Sequence, residues 1–268
     1  MKAVFFILIL LLQLQASEVL VFGTAATVET ALMKKRLMPL VDYLQESIGR
    51  PIEFQSGYDY KDAIKKVSNG TFHLAYIGPA PYVLAKRLNP ESIQILAGLK
   101  NSQEGCFHTV LIAKKGSHIV KLGDLENHSF AFGSPESTLS YYVPMEMLIK
   151  SGMIQKIKRY DFLGRHDKVA KYVIMNKYDA GAIKHSVAKK YSKHLQVLAQ
   201  SKDMHDFMIV ANANMDKKLL QKIQKALYEL KNPEILKPIK ESATGFEPRE
   251  DGDYDEVRKI IDFVSVHK

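Results

Sequence analysis

The chain has 268 residues, with 38 lysines and arginines against 29 aspartates and glutamates. Its only cysteine, Cys106, excludes an internal disulfide, and the lack of a Lys/Arg-rich stretch interleaved with aromatic residues argues against nucleic-acid binding. The formal net charge of +9 suits anionic partners, although scattered surface lysines produce the same balance.

The chain opens with the features of a secretory signal peptide. Lys2 is followed by an unbroken apolar run over residues 4–12 and by the small residues Ala16 and Ser17. The run is shorter than the roughly 20 apolar residues that span a bilayer, and no basic segment follows it to stop transfer, as an uncleaved anchor would need. We therefore expect residues 1–16 to be removed and the mature chain to be periplasmic.

The first half of the chain alternates between strand and helix patterns. Apolar runs predict strands over residues 18–22, 51–54, 73–77, 93–96 and 107–113. Apolar residues at helical spacing predict helices over 38–48, which ends at Gly49, and over 60–67. This alternation is typical of an α/β domain with a mostly parallel sheet.

The pattern then restarts and predicts a second lobe. Predicted strands lie at residues 130–132, 159–162, 180–183, 196–199 and 207–211, and predicted helices at 121–127, 141–150, 168–176, 217–230 and 254–264. Two α/β lobes of similar size fit the length. Ligands of open α/β sheets bind beyond the carboxyl ends of the strands, so we expect a cleft between the lobes.

A loop of small and hydroxyl residues is the most informative segment. Residues 134–144 read Ser-Pro-Glu-Ser-Thr-Leu-Ser-Tyr-Tyr-Val-Pro and place Ser137 and Thr138 where a helix begins. The first N–H groups of a helix lack intrahelical partners and carry partial positive charge, so two added hydroxyl donors suit a compact oxyanion. The alternative is an ordinary helix cap, for which Ser and Thr are favoured.

Several segments together resemble a known family, the periplasmic solute-binding proteins of ABC transporters for phosphonate, phosphite and phosphate (the PhnD-like group). The resemblance extends over nearly the whole mature chain and rests on six segments in order: residues 57–64, 73–82, 134–144, 164–168, 178–183 and 245–254. It implies an α/β, two-lobe periplasmic-binding-protein type II fold with two crossing hinge strands and a ligand cleft between the lobes. The lobes would comprise residues 18–108 plus 208–268, and residues 109–207.

The resemblance also implies a function. The protein would capture a small oxyanion for an ABC transporter permease, without catalysis, metal or cofactor, and we expect a monomer. Ser137 and Thr138 would donate hydrogen bonds to the oxyanion, and His166 of the Gly-x-His segment would donate a third or supply charge. His166 has an alternative as a surface residue at a helix start.

Three further residues carry family roles. Tyr60 and Tyr76 would form aromatic walls with phenol donors, or be ordinary residues at a sheet edge. Asp206 would accept a hydrogen bond from a protonated ligand oxygen and reject the fully ionised form, or be a solvated loop acid. The family commonly has proline after this acid, whereas this chain has Phe207.

Two features depart from the family pattern. Members that take aminoalkyl phosphonates carry an additional acid after the strand at residues 180–183, where this chain has Lys184-His185-Ser186. An ammonium-bearing ligand is therefore not expected. Glu136 adds a negative charge inside the loop of residues 134–144 (the anion loop), where it either points to solvent or weakens the binding of a dianion.

Two alternatives to transport stay open at this point. Most free cysteines are small buried hydrophobes. However, a branch of the superfamily that this chain resembles senses arsenite with a cysteine near this position and signals to a membrane histidine kinase, so Cys106 could bind arsenite in an extracytoplasmic sensor. Such a sensor could also bind a sulfur oxyanion. A hydrolase with Ser137, His166 and Asp206 as a triad is the other alternative. No Gly-x-Ser-x-Gly elbow surrounds Ser137, which disfavours it.

Overall fold

The computed structural model describes residues 19–25, 29–102 and 107–268, which form two β-sheets flanked by helices. The predicted signal peptide, residues 1–16, lies outside this part of the chain. The strands are β1 (Leu20–Thr24), β2 (Ile52–Ser56), β3 (Leu74–Ile77), β4 (Ile93–Asn101), β5 (Thr109–Lys114), β6 (Ser129–Phe132), β7 (Arg159–Phe162), β8 (Ala180–Lys184), β9 (Leu195–Gln200), β10 (Met208–Asn212) and β11 (Ala243–Glu247).

Helices cover the faces of both sheets. The α-helices are α1 (Thr30–Ile48), α2 (Tyr60–Ser68), α3 (Pro79–Leu88), α4 (Val143–Lys150), α5 (His166–Ile174), α6 (His185–Lys190), α7 (Lys217–Glu229), α8 (Pro233–Ile239) and α9 (Asp255–His267). Short 3₁₀ turns lie at Leu122–Leu125 and Asp251–Tyr254, and a π-helical turn at Thr138–Tyr142 leads into α4. None of the helices in the described ranges is long and apolar enough to cross a membrane.

The two sheets define two lobes. The first lobe contains a six-stranded sheet in the order β11-β4-β10-β3-β1-β2, and the second contains a five-stranded sheet in the order β7-β6-β8-β5-β9. The expectation of mostly parallel sheets is wrong, because both are mixed. Each has a parallel trio, centred on β1 or β6, and antiparallel pairs formed by the strand that enters from the other lobe, β10 or β5.

The chain passes between the lobes twice, from β4 to β5 and from β9 to β10. The two crossings are hydrogen-bonded to one another beside the cleft. The backbone N–H of Met204 donates to the Phe107 carbonyl at 3.0 Å, and the backbone N–H of Phe107 donates to the Asp203 carboxylate at 3.2 Å. The last helix, α9, packs on both lobes, since Val257 and Ile261 lie in the core of the first and Ile260 and Val264 in that of the second.

Candidate functional site

A small cavity of about 20 Å³ lies between the lobes. Both lobes supply its wall, because the first contributes the starts of α2 and α3 and the second contributes the anion loop and the start of α5. The lining residues are Tyr60, Gly78, Pro81, Phe107, Ser137, Thr138, Leu139, His166, Lys184 and Phe207. The structure thus brings together four of the six predicted site residues: Tyr60, Ser137, Thr138 and His166.

Ser137 and Thr138 stand where a helix begins, as the sequence predicts. Ser137 is the N-cap, and its hydroxyl oxygen accepts a hydrogen bond from the backbone N–H of Ser140 at 3.2 Å. The capping interpretation is therefore correct, but it leaves the Ser137 hydroxyl proton free to be donated to a ligand. The Ser140 N–H is used by this cap, and the N–H groups of Thr138 and Leu139 before it have no intrahelical acceptor, so they add further donors at the same end.

The loop reaches this position because its entry is tightly packed. Gly133 ends the strand segment before the loop, and a Cβ atom built there would lie 2.1 Å from the Ser140 hydroxyl oxygen. Only glycine leaves room for that approach. The backbone N–H of Gly133 donates to the Ser140 carbonyl at 3.1 Å, and this bond holds the loop against the end of β6.

Hydrogen bonds join the anion loop to the opposite lobe. The backbone N–H of Ala80 donates to the Thr138 hydroxyl oxygen at 2.8 Å. Pro79 and Pro81 have no N–H groups, so Ala80 supplies the donor from this first turn of α3. Because the Thr138 oxygen accepts this bond, its own proton remains available to a ligand oxygen.

Tyr60 approaches the anion loop from the first residue of α2. Its phenol lies where the Ser137 side chain affects its ionisation. Burial raises the pKa of Tyr60 to about 12, and the Ser137 side chain opposes the shift. The phenol therefore keeps its proton at neutral pH and acts as a neutral donor beside the two hydroxyls.

His166 is the first residue of α5 and is buried, with 6% of its surface exposed. Its Nδ1 accepts a hydrogen bond from the backbone N–H of Lys184 at 3.1 Å, so the neutral ring carries its proton on Nε2. Burial, helped by the charge of Lys184, lowers the pKa of His166 to about 3. Of the two predicted roles, the structure favours a neutral hydrogen-bond donor over a positive charge.

Tyr76 and Asp206 line an adjoining, larger cleft of about 470 Å³ instead of the small cavity. The Tyr76 ring packs on Phe207 with ring centroids 4.8 Å apart, and burial raises its pKa well above the usual value. The aromatic side chains that line the small cavity are those of Tyr60, Phe107 and Phe207.

The carboxylate of Asp206 is already occupied by protein donors. Its Oδ1 accepts from the backbone N–H of Phe207 at 2.7 Å. Its Oδ2 accepts from the Asn101 amide at 3.0 Å and forms an ion pair with Lys240. This arrangement leaves Asp206 little capacity to accept a ligand proton.

The sequence did not assign several residues of the cavity wall to the site. Phe107 and Phe207 meet edge to face with ring centroids 5.9 Å apart, and Gly78 lets Phe207 approach, since a Cβ there would lie 3.2 Å from the ring. In the sequence, Lys184 stands out only because some family members carry an acid at this place. The signal that could have found it is its position directly after β8, at the carboxyl end of the strand.

Of two further residues singled out in the sequence, the structure describes Glu136 but not Cys106. The Glu136 carboxylate accepts a hydrogen bond from the Ser134 hydroxyl at 2.5 Å and does not line the cavity, although its charge contributes to the raised pKa of Tyr60. Cys106 lies outside the described residues. Among the residues that are described, no three His, Cys, Asp or Glu side chains gather to hold a metal ion.

Comparisons with known proteins identify the family to which the chain is similar. Residues 22–254 match the family model described as the phosphonate periplasmic substrate-binding protein of ABC transporters. The phosphate-import protein PhnD of Mycolicibacterium smegmatis is 23% identical over 266 residues, covering 88% of this chain and 83% of that protein.

Two solved structures are similar over most of their length. PhnD1 from Prochlorococcus marinus, in complex with methylphosphonate, superposes with a TM-score of 0.83 at 22% identity, covering 92% of this chain and 98% of the other. A binding-protein component of an ABC phosphonate transporter from Pseudomonas aeruginosa has a TM-score of 0.83 at 18% identity, with 93% and 87% covered. At these identities the similarity establishes the two-lobe fold.

Proposed function

We propose that this chain captures a small phosphorus oxyanion, a phosphonate, phosphite or phosphate, because it belongs to the family of periplasmic phosphonate substrate-binding proteins of ABC transporters. The observation that carries the proposal is the convergence of neutral donors on the small cavity between the lobes. Ser137, Thr138 and Tyr60 bring hydroxyl protons, and His166 brings an Nε2 proton.

Neutral donors suit the selection of an oxyanion. Hydrogen bonds to an ionised acceptor are stronger than neutral pairs, so a buried anion is stabilised without a matching buried cation. The hydroxyl groups can rotate to meet tetrahedrally arranged oxygens. The cavity of about 20 Å³ has the room that one or two water molecules need, which restricts it to a compact head group.

The partner and compartment follow from the same proposal. We propose that residues 1–16 direct export, that the mature protein works as a periplasmic monomer, and that a membrane permease reads its closed form. The lobes would comprise residues 18–108 plus 208–268, and residues 109–207, and would close around the ligand by hinge motion. The contact between Ala80 and Thr138 supports closure as the bound geometry.

Members of this family bind substrate for transport, and we propose that this chain has no enzymatic activity. The geometry argues against the Ser-His-Asp alternative. His166 Nδ1 accepts the backbone N–H of Lys184, where a triad needs an N–H that donates to a carboxylate. Asp206 lines the neighbouring cleft and pairs with Lys240.

A thermal-shift panel tests the proposal. The ligands are phosphite, methylphosphonate, phosphate, sulfate and arsenite. A ligand present at about 100 times its Kd adds roughly 2.7 kcal/mol to the free energy of unfolding, which moves the melting temperature of a protein of this size by roughly 5–10 °C. A shift with at least one phosphorus oxyanion is expected. A shift with arsenite or sulfate alone would overturn the proposal.

A further inference from the structure

The small cavity opens beside the larger cleft, and the two share a wall made of Phe107, Lys184 and Phe207. The small cavity holds about 20 Å³ and the cleft about 470 Å³. A ligand larger than a bare oxyanion can therefore extend from the donors into the cleft, past Lys184. The substituent of a phosphonate would enter the cleft at this junction.

Lys184 faces both spaces with different parts of the residue. Its backbone N–H donates to His166 in the wall of the small cavity. Its ammonium interacts electrostatically with Asp206, Arg36 and Lys240, which all line the larger cleft. The charge of Lys184 thus lies where the substituent on phosphorus would pass.

The neighbouring acid does not neutralise Lys184. Asp206 lies close enough to favour the ammonium, but it forms its ion pair with Lys240. Within the described part of the chain, Lys184 has no carboxylate within 4 Å. A largely buried ammonium without a close counterion is unfavourable in the unliganded protein, and an anion supplied by a ligand removes that penalty.

The other residues that line the larger cleft also carry a net positive charge. Six basic residues line the cleft against four acidic ones, and two of the acids already lie within ion-pair distance of cleft lysines. Arg36, Lys190 and Lys237 have no acid within 4 Å among the described residues. The field of this wall attracts negative charge and repels an ammonium-bearing substituent.

We propose that the preferred ligand is a phosphonate carrying a second acidic group, a carboxylate or a second phosphoryl group, which the Lys184 ammonium binds in the larger cleft. This inference rests on the proposed function, because it places the phosphonyl head among Ser137, Thr138, Tyr60 and His166. Lys184 is then the residue that determines specificity for the substituent. Neutral alkyl phosphonates bind more weakly, and aminoalkyl phosphonates more weakly still.

Isothermal titration calorimetry of the purified protein tests the inference with four probes: ethylphosphonate, phosphonoacetate, methylenediphosphonate and 2-aminoethylphosphonate. At least one doubly acidic probe should bind about tenfold or more tightly than ethylphosphonate. Comparison of phosphonoacetate with methylenediphosphonate identifies the second group as carboxylate or phosphoryl. Lys184→Gln should remove the preference, because it lowers affinity for the doubly acidic probes about tenfold or more beyond any loss of affinity for ethylphosphonate.

Two variants control the result. Lys189→Gln removes an exposed lysine of α6 that does not line the cleft, and it should leave the preference intact. Lys184→Arg keeps the positive charge and should retain the preference for the doubly acidic probes. This variant therefore distinguishes loss of the charge from a general folding defect at this position.

Wild-type protein that binds ethylphosphonate as tightly as the doubly acidic probes would overturn the inference and leave the proposed function standing. An equal loss of all probes in Lys184→Gln would overturn it as well. If no phosphorus oxyanion binds, the proposed function fails, and the inference fails with it.

Discussion

The backbone N–H of Ala80 donates to the Thr138 hydroxyl over 2.8 Å, and the two residues belong to opposite lobes. Ala80 lies in the first turn of α3, and Thr138 opens the helix at the anion loop. The same hydroxyl that can bind a ligand oxygen therefore also holds the lobes together. Ligand capture and lobe closure depend on one side chain.

Replacing that hydroxyl should weaken capture. Thr138→Val keeps the shape of the side chain but removes both the donor to the ligand and the acceptor for Ala80. A hydrogen bond to a charged group contributes about 1.5–3 kcal/mol, so Kd for a phosphonate should rise roughly 10- to 100-fold. Calorimetry measures the change, with Thr244→Val, at an exposed position of β11, as the control. Unchanged affinity in Thr138→Val would remove this residue from the site.

The packing of the anion loop on Gly133 should be essential. Gly133→Ala places a Cβ 2.1 Å from the Ser140 hydroxyl oxygen and 2.8 Å from its Cβ, so the loop must shift. We expect a loss of about 1–3 kcal/mol in the free energy of unfolding, together with weaker phosphonate binding. Urea denaturation checks the first effect. Gly123→Ala meets no atom within 4 Å and is the matched control.

Burial of neutral His166 predicts how stability depends on pH. Its folded pKa, about 3, is lower than the ordinary value of 6.5, so the unfolded chain binds more protons between these two values. The contribution of His166 to the free energy of unfolding is fully present above pH 6.5. It is lost as pH falls toward 3, by up to about 1.4 kcal/mol per pH unit.

Urea denaturation at several pH values between 7.5 and 4.5 measures this slope in the wild-type protein. His166→Gln should make the slope shallower, whereas His194→Gln, at an exposed position, is the matched control. Equal slopes in the wild-type protein and His166→Gln would contradict the buried neutral ring.

The charge of Lys184 predicts a second pH dependence, in binding. Burial lowers the pKa of Lys184 to about 8, with Asp206 opposing the shift and Arg36 and Lys240 adding to it. A bound anion favours the ammonium, so the pKa rises in the complex. Affinity for phosphonoacetate should therefore hold below pH 8 and fall above it, by up to tenfold per pH unit. Ethylphosphonate shares the phosphonyl titration and is the control ligand; parallel pH profiles for the two would contradict this role.

Local signals in the sequence were sufficient for many elements but not for their arrangement. The strand over residues 159–162 and the helix start at Tyr60 match the structure, because apolar spacing and caps are local properties. Helix α3 was missed, since Gly78-Pro79 after the strand at residues 73–77 indicates a break in regular structure. Proline is tolerated in the first turn of a helix, where its missing N–H is not needed.

Properties that depend on distant partners could not be predicted. The antiparallel entry of β5 and β10 depends on which lobe each strand pairs with, and no local pattern records that. The neutral state of His166 requires its burial and the Lys184 backbone N–H, 18 residues away in the chain. The engagement of Asp206 by Lys240 is also a long-range contact, 34 residues away in the chain, which no local pattern records.

One titration tests the central claim most directly. Phosphite, methylphosphonate and phosphate are titrated calorimetrically into the wild-type protein and into the double variant Ser137→Ala/Thr138→Val. We predict saturable binding of at least one of these anions to the wild-type protein, and a loss of affinity of at least about 100-fold in the double variant, since two donors to a buried anion are removed. Binding that survives the double substitution undiminished, or a wild-type protein that binds none of the three, would contradict the account.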